Sequence, residues 1–456
     1  MYRVKTFKYY STYKICMIEE VFELTQNGRA KKWHAFYGGK IEILPKVPIR
    51  TLDDFSIWYT PGVAEVCNEI AEDEEKAYDY TNKWNLIAII TDGSRTLGLG
   101  NIGPKAAMPV MEGKALLFKF LGAVDAFPIA LAEQDADRFI EIVKAISPTF
   151  GGVNLEDISS PKCFYILERL QKELDIPVWH DDQQGTATAT LAALINALKI
   201  VGKDISEVKI SIIGVGAANF ATIRLLKAAG ADPKKMFVVD SKGILHPDRA
   251  DLKEKKGYKW QVAIETNGER RTGGMEEAIR GTDVLIAASK PGPDVIKKEW
   301  IAEMNDDAIV FPLANPTPEI WPWEAKDAGA RIVGTGRSDF PNQVNNSLVF
   351  PGVFRGALTV RARKITDEMC LAAANALAEF AERNGLSEDY IIPRMTEKEV
   401  FPEVATAVGV KAVELGLARL ELREEEIYEI AELMISATQR KIKKLYELGF
   451  IKEPPS

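Results

Sequence analysis

The stretch Lys209–Asn219, KISIIGVGAAN, joins an apolar strand-like run to a glycine turn that opens a helix-like segment. Gly214 permits the tight turn and Gly216 permits close approach of a ligand, so backbone N–H groups at the start of the helix face a pyrophosphate. Asp240 ends the next strand-like run, MFVVD, where a ribose hydroxyl of a dinucleotide lies. Because Asn219 replaces the third glycine of the pattern, a plain strand-to-helix turn is the alternative. We predict a dinucleotide site formed by Gly214, Val215, Gly216, Ala217, Ala218 and Asp240.

Strand-like and helix-like segments alternate on both sides of this turn. After it come the apolar runs DVLIAAS, AIVFPLA and RIVGTG, which together with MFVVD form a doubly wound α/β pattern. Before it, short apolar runs at Leu86–Thr91, Asp125–Ala130, Gly152–Leu155 and Ile176–Trp179 alternate with helical periodicity and predict a further α/β layer. Beyond about Lys364 the apolar period is near 3.6, which predicts packed helices.

These changes of pattern predict two α/β domains followed by helices. We expect an N-terminal α/β domain at 17–182, a doubly wound, Rossmann-like domain at 183–360 and a helical segment at 361–456. Residues 1–16 are basic and aromatic without an apolar run or a cleavage site. They therefore predict a tail or an upstream extension rather than a secretory signal.

The composition excludes several classes of protein. The chain has 456 residues, of which 46% are hydrophobic and 27% charged, and no run approaches the ~20 apolar residues that span a bilayer. A net charge of -8 without a basic stripe argues against a nucleic-acid partner. The four cysteines are far apart and lack metal-site or disulfide spacing, so we expect a cytoplasmic protein without a membrane partner.

Two acidic doublets follow strand-like runs of the first domain. Glu156-Asp157 comes after GGVNL, and Asp181-Asp182 comes after IPVWH. The carboxyl ends of strands in an open α/β sheet line one crevice, so both doublets can meet around one hard cation. With only three histidines in the chain, oxygen ligands and therefore Mg²⁺ or Mn²⁺ are favoured over zinc. Taken singly, each doublet is better explained as a helix cap or a solvated turn, and it is the two together that favour a cation site.

Several polar residues stand beside small or rigid ones. Arg95 lies in a loop with four glycines, residues 91–103, and its guanidinium suits a substrate carboxylate. Asn315 ends the run AIVFPLA, at the same edge as the glycine turn. On their own, Tyr59 before Thr-Pro-Gly is better explained by half-buried packing, and Lys114 after a glycine by a solvated helix start.

A series of motifs carries a family resemblance. The motifs occur in the order YTPGVAEVC (59–67), LGLGNIGPKAAMPVMEGKALLFK (97–119), GGVNLEDI (151–158), HDDQQGTA (180–187), GVGAAN (214–219), LANPTPEI (313–320), GRSDFPNQVNN (336–346) and FPGVFRGAL (350–358). In this order they resemble the malic enzymes of the small-subunit prokaryotic type, over roughly residues 45 to 385. The resemblance implies oxidative decarboxylation of (S)-malate to pyruvate and CO₂ with NAD⁺ or NADP⁺ and Mg²⁺ or Mn²⁺. It also implies a homodimer.

The resemblance assigns roles to residues of this chain. Tyr59 matches the family's general acid, Lys114 its general base, and Asp181 the acidic neighbour that pairs with the lysine. The remaining matches are the metal ligands Glu156, Asp157 and Asp182, the contacts to substrate and nicotinamide at Asn315, Asn345 and Asn346, and the cofactor turn Gly214 to Ala218. Tyr59 or Lys114 can act within one subunit or across a dimer.

Two positions depart from the family pattern, and some choices stay open. Arg95 stands where an apolar or small residue is expected, and Gln184 stands where histidine is common. Asp240 favours NAD⁺ over NADP⁺, while Lys242 opposes that preference, so we expect it to be modest. The alternatives are an oxaloacetate decarboxylase, a malolactic-type activity, or a non-catalytic nucleotide-binding protein.

Overall fold

A computed structural model describes residues 28–455, so the predicted tail at 1–16 lies outside the described residues. The chain divides into two compact units. In the described part of the first unit, residues 28–47 and 439–455, a helix α1 spans 28–37. There the Tyr37 hydroxyl donates to the Lys452 carbonyl at 2.6 Å, and the Trp33 indole donates to the Pro455 carbonyl at 3.0 Å. The second unit, Pro48–Thr438, contains both sheets.

The first sheet has four parallel strands in the order β2-β1-β3-β4. The strands are β1 (Leu86–Thr91), β2 (Asp125–Ala130), β3 (Gly152–Leu155) and β4 (Val178–His180). The first three have the predicted bounds. The fourth begins two residues later than predicted, after Pro177, which has no N–H to donate to the ladder.

The second sheet has six strands in the order β10-β9-β8-β5-β6-β7. The strands are β5 (Ile210–Ile213), β6 (Met236–Asp240), β7 (Gly243–Ile244), β8 (Val284–Ala287), β9 (Ile309–Pro312) and β10 (Ile332–Val333). All neighbours are parallel except β6 and β7. The reversal of strand order beside β5 is the topology of a doubly wound sheet, so the predicted Rossmann-like fold is confirmed.

Helices connect the strands. Those before β5 are α2 (Asp54–Trp58), α3 (Val63–Glu72), α4 (Ala77–Tyr80), α5 (Pro104–Gly122), α6 (Ala136–Ile146), α7 (Lys162–Glu173) and α8 (Thr186–Val201). Those after it are α9 (Ala217–Ala228), α10 (Ala250–Lys255), α11 (Tyr258–Glu265), α12 (Met275–Ile279), α13 (Lys298–Ile301), α14 (Pro322–Asp327), α15 (Phe350–Thr359), α16 (Asp367–Arg383), α17 (Val400–Glu414) and α18 (Glu424–Glu447). No helix in residues 28–455 combines the length and the apolar character needed to cross a membrane.

The strands separate the hydrophobic cores. Successive side chains of a strand point to opposite faces, so Ile87 and Ile89 of β1 join one core while Ala88 and Ile90 join another. The larger core also contains buried residues of α8, α15, α16 and α17. Asn196 of α8 donates to the carbonyl oxygens of Ala378 and Ile391, both at 2.9 Å. The predicted C-terminal helix α16 therefore packs on α8, which follows β4 in the chain.

Candidate active site

One large cavity of about 1480 Å³ lies at the carboxyl ends of strands from both sheets. Its walls include residues that follow β1, β3 and β4 of the first sheet and β5, β6, β8 and β9 of the second. The carboxyl ends of parallel strands are where open α/β sheets bind ligands. Most of the predicted site residues line this cavity, namely Arg95, Lys114, Glu156, Asp157, Asp182, Gly214, Val215, Gly216, Ala217, Ala218, Asp240, Asn315, Asn345 and Asn346.

Glu156, Asp157 and Asp182 come together as the two doublets predict. One carboxylate oxygen from each lies within 4.8 Å of the others. Oδ2 of Asp157 is buried and has no hydrogen-bond partner in the structure, so it has a lone pair to offer a cation. An all-oxygen set of this kind fits Mg²⁺ or Mn²⁺. The ends of β3 and β4, which are adjacent strands, deliver these carboxylates to one place.

The carboxylates carry a high local density of negative charge. Burial, with Asp182 beside it, raises the pKa of Asp157 to about 7. Burial and the neighbouring acids raise the pKa of Glu156 well above its ordinary value. Asp157 also has φ +55°, a left-handed backbone that aspartate adopts at a cost. Such a cluster is costly when its carboxylates are ionised, and a bound cation offsets that cost.

Lys114 lies in the wall of the cavity, in the middle of α5. Its ammonium contacts Asp181 and lies 3.1 Å from Glu156 Oε1. Although burial disfavours the charged amine, these two carboxylates raise the pKa of Lys114 above its ordinary value. The Trp179 indole donates to Asp181 at 2.9 Å and fixes its orientation. The predicted Lys114–Asp181 pair is therefore present. Lys114 lines the cavity, whereas Asp181 does not.

The glycine turn joins β5 to α9. Gly214 has φ +96°, and a Cβ there would lie 2.6 Å from the carbonyl oxygen of Ala288, so the turn needs glycine. Asn219, at the place of the missing third glycine, is buried and donates to the carbonyl oxygens of Ile213 at 2.9 Å and of Gly214 at 3.0 Å. The asparagine thus holds the turn by hydrogen bonds, and the departure from the glycine pattern leaves the turn intact.

Asp240 ends β6 at the edge of the same cavity, but its carboxylate is already bound. Arg249 donates to Oδ1 at 2.8 Å and Lys259 donates to Oδ2 at 2.8 Å. Although partial burial opposes ionisation, these hydrogen bonds hold the pKa of Asp240 below its ordinary value. Lys242 directs its ammonium instead to Asp251, at 3.1 Å. Sequence reasoning missed Arg249 and Lys259 because neither belongs to a motif.

The arginine and the asparagines that the sequence predicts as substrate contacts differ in their hydrogen bonds. The Arg95 N–H donates to the carbonyl oxygen of Asp157 at 3.0 Å, so its loop is tied to the carboxylate cluster. The Asn345 amide donates to the carbonyl oxygen of Gly336 at 3.1 Å, so one of its N–H groups already has a partner within the chain. Asn315 and Asn346 line the cavity.

Tyr59 lies away from the cavity within its own chain. It directly follows α2, its surface is 71% exposed, and it is absent from the residues that line the cavity. The structure therefore does not bring Tyr59 and Lys114 together in one chain. The family motif locates the tyrosine in the sequence and carries no information on which subunit's cavity it faces.

A glycine turn on a doubly wound sheet, a buried lysine and a carboxylate cluster in one cavity define an oxidoreductase site of the NAD(P) type. Comparison with protein families matches residues 38–171 to the malic enzyme N-terminal domain and residues 183–413 to the malic enzyme NAD-binding domain. The chain belongs to the malic enzyme family. Its recognition from sequence is thereby confirmed.

Individual relatives agree with this assignment. A bifunctional malic/malolactic enzyme of Bacillus subtilis is 51% identical, over 87% of this chain and 95% of its own length. An NAD-dependent malic enzyme of Geobacillus stearothermophilus is 51% identical, over 84% of this chain and 78% of its own. The crystal structure of Entamoeba histolytica malic enzyme superposes with a TM-score of 0.91 at 48% identity, covering 93% of this chain and 89% of that one.

Proposed function

We propose that the protein oxidatively decarboxylates (S)-malate to pyruvate and CO₂, with reduction of NAD⁺ or NADP⁺ and with Mg²⁺ or Mn²⁺. The observation that carries the proposal is the position of Lys114, which contacts Glu156 of the carboxylate cluster in the cavity that also contains the glycine turn. One cavity thus holds the lysine that we assign as the general base, the carboxylates that we assign as cation ligands and the turn that we assign to the pyrophosphate.

The reaction needs a base at the malate hydroxyl while hydride leaves C2 for the nicotinamide. A free lysine is protonated near neutral pH and accepts a proton only if its surroundings lower its pKa. Glu156, Asp157 and Asp182 would hold a divalent cation, which when bound would supply Lewis-acid polarisation of the substrate oxygens and neutralise Glu156 beside Lys114. With Glu156 neutralised, the pKa of Lys114 would fall and its neutral amine would take the hydroxyl proton, while Asp181, held by Trp179, keeps the amine in place.

The substrate is dianionic and needs partners for both carboxylates. In this proposal Arg95 binds one of them through its exposed guanidinium. Asn346 and Asn315 donate amide N–H groups to the substrate and to the nicotinamide, and Asn345 holds the loop that presents them. All four residues line the cavity.

Protonation of enolpyruvate at carbon needs an acid, which we assign to Tyr59 of a second copy of the chain. Tyr59 follows α2, and α2 and α3 bury little in the chain: Asp54 is the one buried residue of α2, and none of the ten residues of α3 is buried. Leu52 and Ile57 are 84% and 62% exposed. A surface of this kind is typical of a subunit contact. In this proposal a two-fold contact at α2 and α3 places each Tyr59 at the cavity of the other subunit.

We expect the protein to be a homodimer of twice the 50.6 kDa chain mass. Ile57→Asp, which places a charge on the α2 surface, should dissociate it and lower turnover, whereas Leu415→Asp at another exposed leucine should do neither. Light scattering with a size-exclusion column measures both variants. A wild-type particle of 50.6 kDa at working concentration would refute the dimer.

Tyr59→Phe should chiefly block proton transfer to enolpyruvate and leave hydride transfer from malate in place, because the two steps use different groups. Exchange of tritium into pyruvate measures the first step. Mixing Tyr59→Phe and Lys114→Ala dimers under subunit exchange tests the partner assignment. If Tyr59 acts across the dimer, about a quarter of wild-type activity should return. No recovery in exchanged mixtures would show that both groups act in one subunit.

For the cofactor we propose a modest preference for NAD⁺. The Asp240 carboxylate opposes a 2′-phosphate, but Arg249 and Lys259 already neutralise it. Asp240→Ala should free both cations for the phosphate and raise kcat/KM with NADP⁺ about tenfold, or ~1.4 kcal/mol. Lys242→Ala should instead sharpen the preference for NAD⁺, and Asp248→Ala, at an exposed acid of the same segment, serves as the control. A wild-type preference for NADP⁺ above about tenfold would contradict this assignment.

The test of the proposed function is an end-point assay with (S)-malate, Mn²⁺ and each cofactor. Pyruvate should form in amounts equal to the reduced cofactor. Absence of pyruvate with both cofactors would refute the proposal.

The second candidate is a malolactic reaction, in which malate yields lactate and CO₂ without net reduction of the cofactor. Its support is the 51% identical relative of Bacillus subtilis, which is a bifunctional malic/malolactic enzyme. Lactate formation in the same assay, without accumulation of NADH, would identify it.

A further inference from the structure

Glu319 is a buried carboxylate at the end of the motif LANPTPEI. Its side chain is 0% exposed. Oε1 accepts from the Ser289 N–H at 2.7 Å and from the Ser289 hydroxyl at 3.0 Å. Oε2 accepts from the Ala314 N–H at 3.0 Å. One side chain thus joins the segment after β8 to the segment after β9.

Both segments form a wall of the cavity. Ser289 and Pro291 line it after β8, and Ala314 and Asn315 line it after β9. In the sheet, β8 and β6 flank β5 on opposite sides. Asp240 at the end of β6 lies where we expect the adenosine ribose. With the pyrophosphate at the glycine turn, the wall held by Glu319 therefore faces the nicotinamide end of a bound dinucleotide.

The same segments touch the two other parts of the site with little space left. A Cβ on Gly214 of the glycine turn would lie 2.6 Å from the carbonyl oxygen of Ala288. A Cβ on Gly98 of the loop that carries Arg95 would lie 3.0 Å from the carbonyl oxygen of Asn315. A shift of either segment would therefore move the turn or the substrate loop.

The need to fill space does not explain why a carboxylate occupies this buried position. In the described part of the chain Glu319 makes no salt bridge, and burial raises its pKa above the ordinary value. An apolar side chain would fill the same space without the desolvation penalty of a charge. Glu319 instead supplies acceptor oxygens to three donors, which an apolar residue would leave without a hydrogen bond.

We propose that Glu319 is a positioning residue for the nicotinamide end of the cofactor, because it fixes the Ser289 and Ala314 segments relative to each other. Glu319 does not touch the cofactor and acts through those segments. The inference rests on the proposed function in so far as it requires a nicotinamide dinucleotide as the ligand.

The test is Glu319→Gln, with binding measured in the absence of malate. Glutamine accepts through one oxygen, so an amide N–H would oppose the N–H of Ser289 or Ala314. We expect NADH, followed by its fluorescence, to bind about tenfold more weakly. ADP-ribose shares the adenosine and the pyrophosphate but lacks the nicotinamide, and it should bind within about twofold of wild type. Mn²⁺ affinity and the melting temperature serve to detect a general disturbance.

Two further variants keep the test decisive. Ser289→Ala removes a single hydrogen bond and should give a smaller loss of the same selective kind, even if Glu319→Gln fails to fold. Glu324→Gln, five residues further along the chain and in the first turn of α14, should leave both ligands unchanged. Equal weakening of NADH and ADP-ribose, or no weakening in either variant, would overturn the inference. Wild-type protein that binds neither ligand would overturn the proposed function itself.

Discussion

Replacing Lys114 by alanine is expected to lower kcat for malate oxidation by about 10²–10⁴-fold, the usual worth of a positioned general base. The amine lies among buried carboxylates, 3.1 Å from Glu156 and in contact with Asp181, with no other amine among the residues that line this part of the cavity. Stopped-flow detection of NADH formation isolates the step, because loss of the base should slow hydride transfer itself.

The control for Lys114→Ala must separate catalysis from folding. Removing the cation from a buried ion pair costs about 3–5 kcal/mol, so the melting temperature should fall as well. Lys119→Ala changes a half-exposed lysine of the same helix and should leave kcat within twofold. Partial recovery of Lys114→Ala by added methylamine would support proton acceptance by the amine. A variant that forms NADH at the wild-type rate would contradict the assignment.

Asp182→Ala is expected to weaken Mn²⁺ binding by more than about 100-fold, since even outer-shell partners of metal ligands contribute 10–100-fold. Asp182 is the most exposed acid of the three, with 36% of its side chain accessible, so the fold should tolerate its loss. Turnover should fall in parallel, because the substrate oxygens lose their Lewis acid. Titration of free Mn²⁺ by electron paramagnetic resonance measures the affinity directly.

Two comparisons make the Asp182 result interpretable. Asp327→Ala removes an exposed acid from the last turn of α14, where a negative charge is unfavourable, so it should leave Mn²⁺ affinity unchanged and should not lower stability. EDTA should abolish wild-type turnover, and Mn²⁺ should restore it. Full activity after EDTA treatment would show that the carboxylate cluster holds no essential cation.

Much of the fold follows from local sequence pattern. The run KISII, the glycine turn and MFVVD specify β5, α9 and β6 because apolar strands and a positive-φ glycine are local features. The doublet Glu156-Asp157 could be placed beside Asp182 for a similar reason, since both follow adjacent parallel strands. The strand ends of the second sheet were less well predicted: RIVGTG forms only the two-residue strand β10.

The remaining features depend on long-range contacts. Arg249, just before α10, and Lys259, in α11, reach Asp240 from outside its strand, and no periodicity of the sequence encodes that approach. Glu319 ends a recognised motif, but its partner Ser289 lies 30 residues earlier in the chain. The exposure of Tyr59 depends on how α2 packs, and neither the residue type nor its spacing specifies that packing.

We expect one active site to couple oxidation of malate to loss of its C4 carboxylate. The most direct measurement follows absorbance at 340 nm and release of labelled CO₂ from [4-¹⁴C]malate in the same sample, with NAD⁺ and Mn²⁺. NADH and labelled CO₂ should appear together in equal amounts, and Lys114→Ala should lose both. Release of label without any rise in absorbance would contradict this coupling.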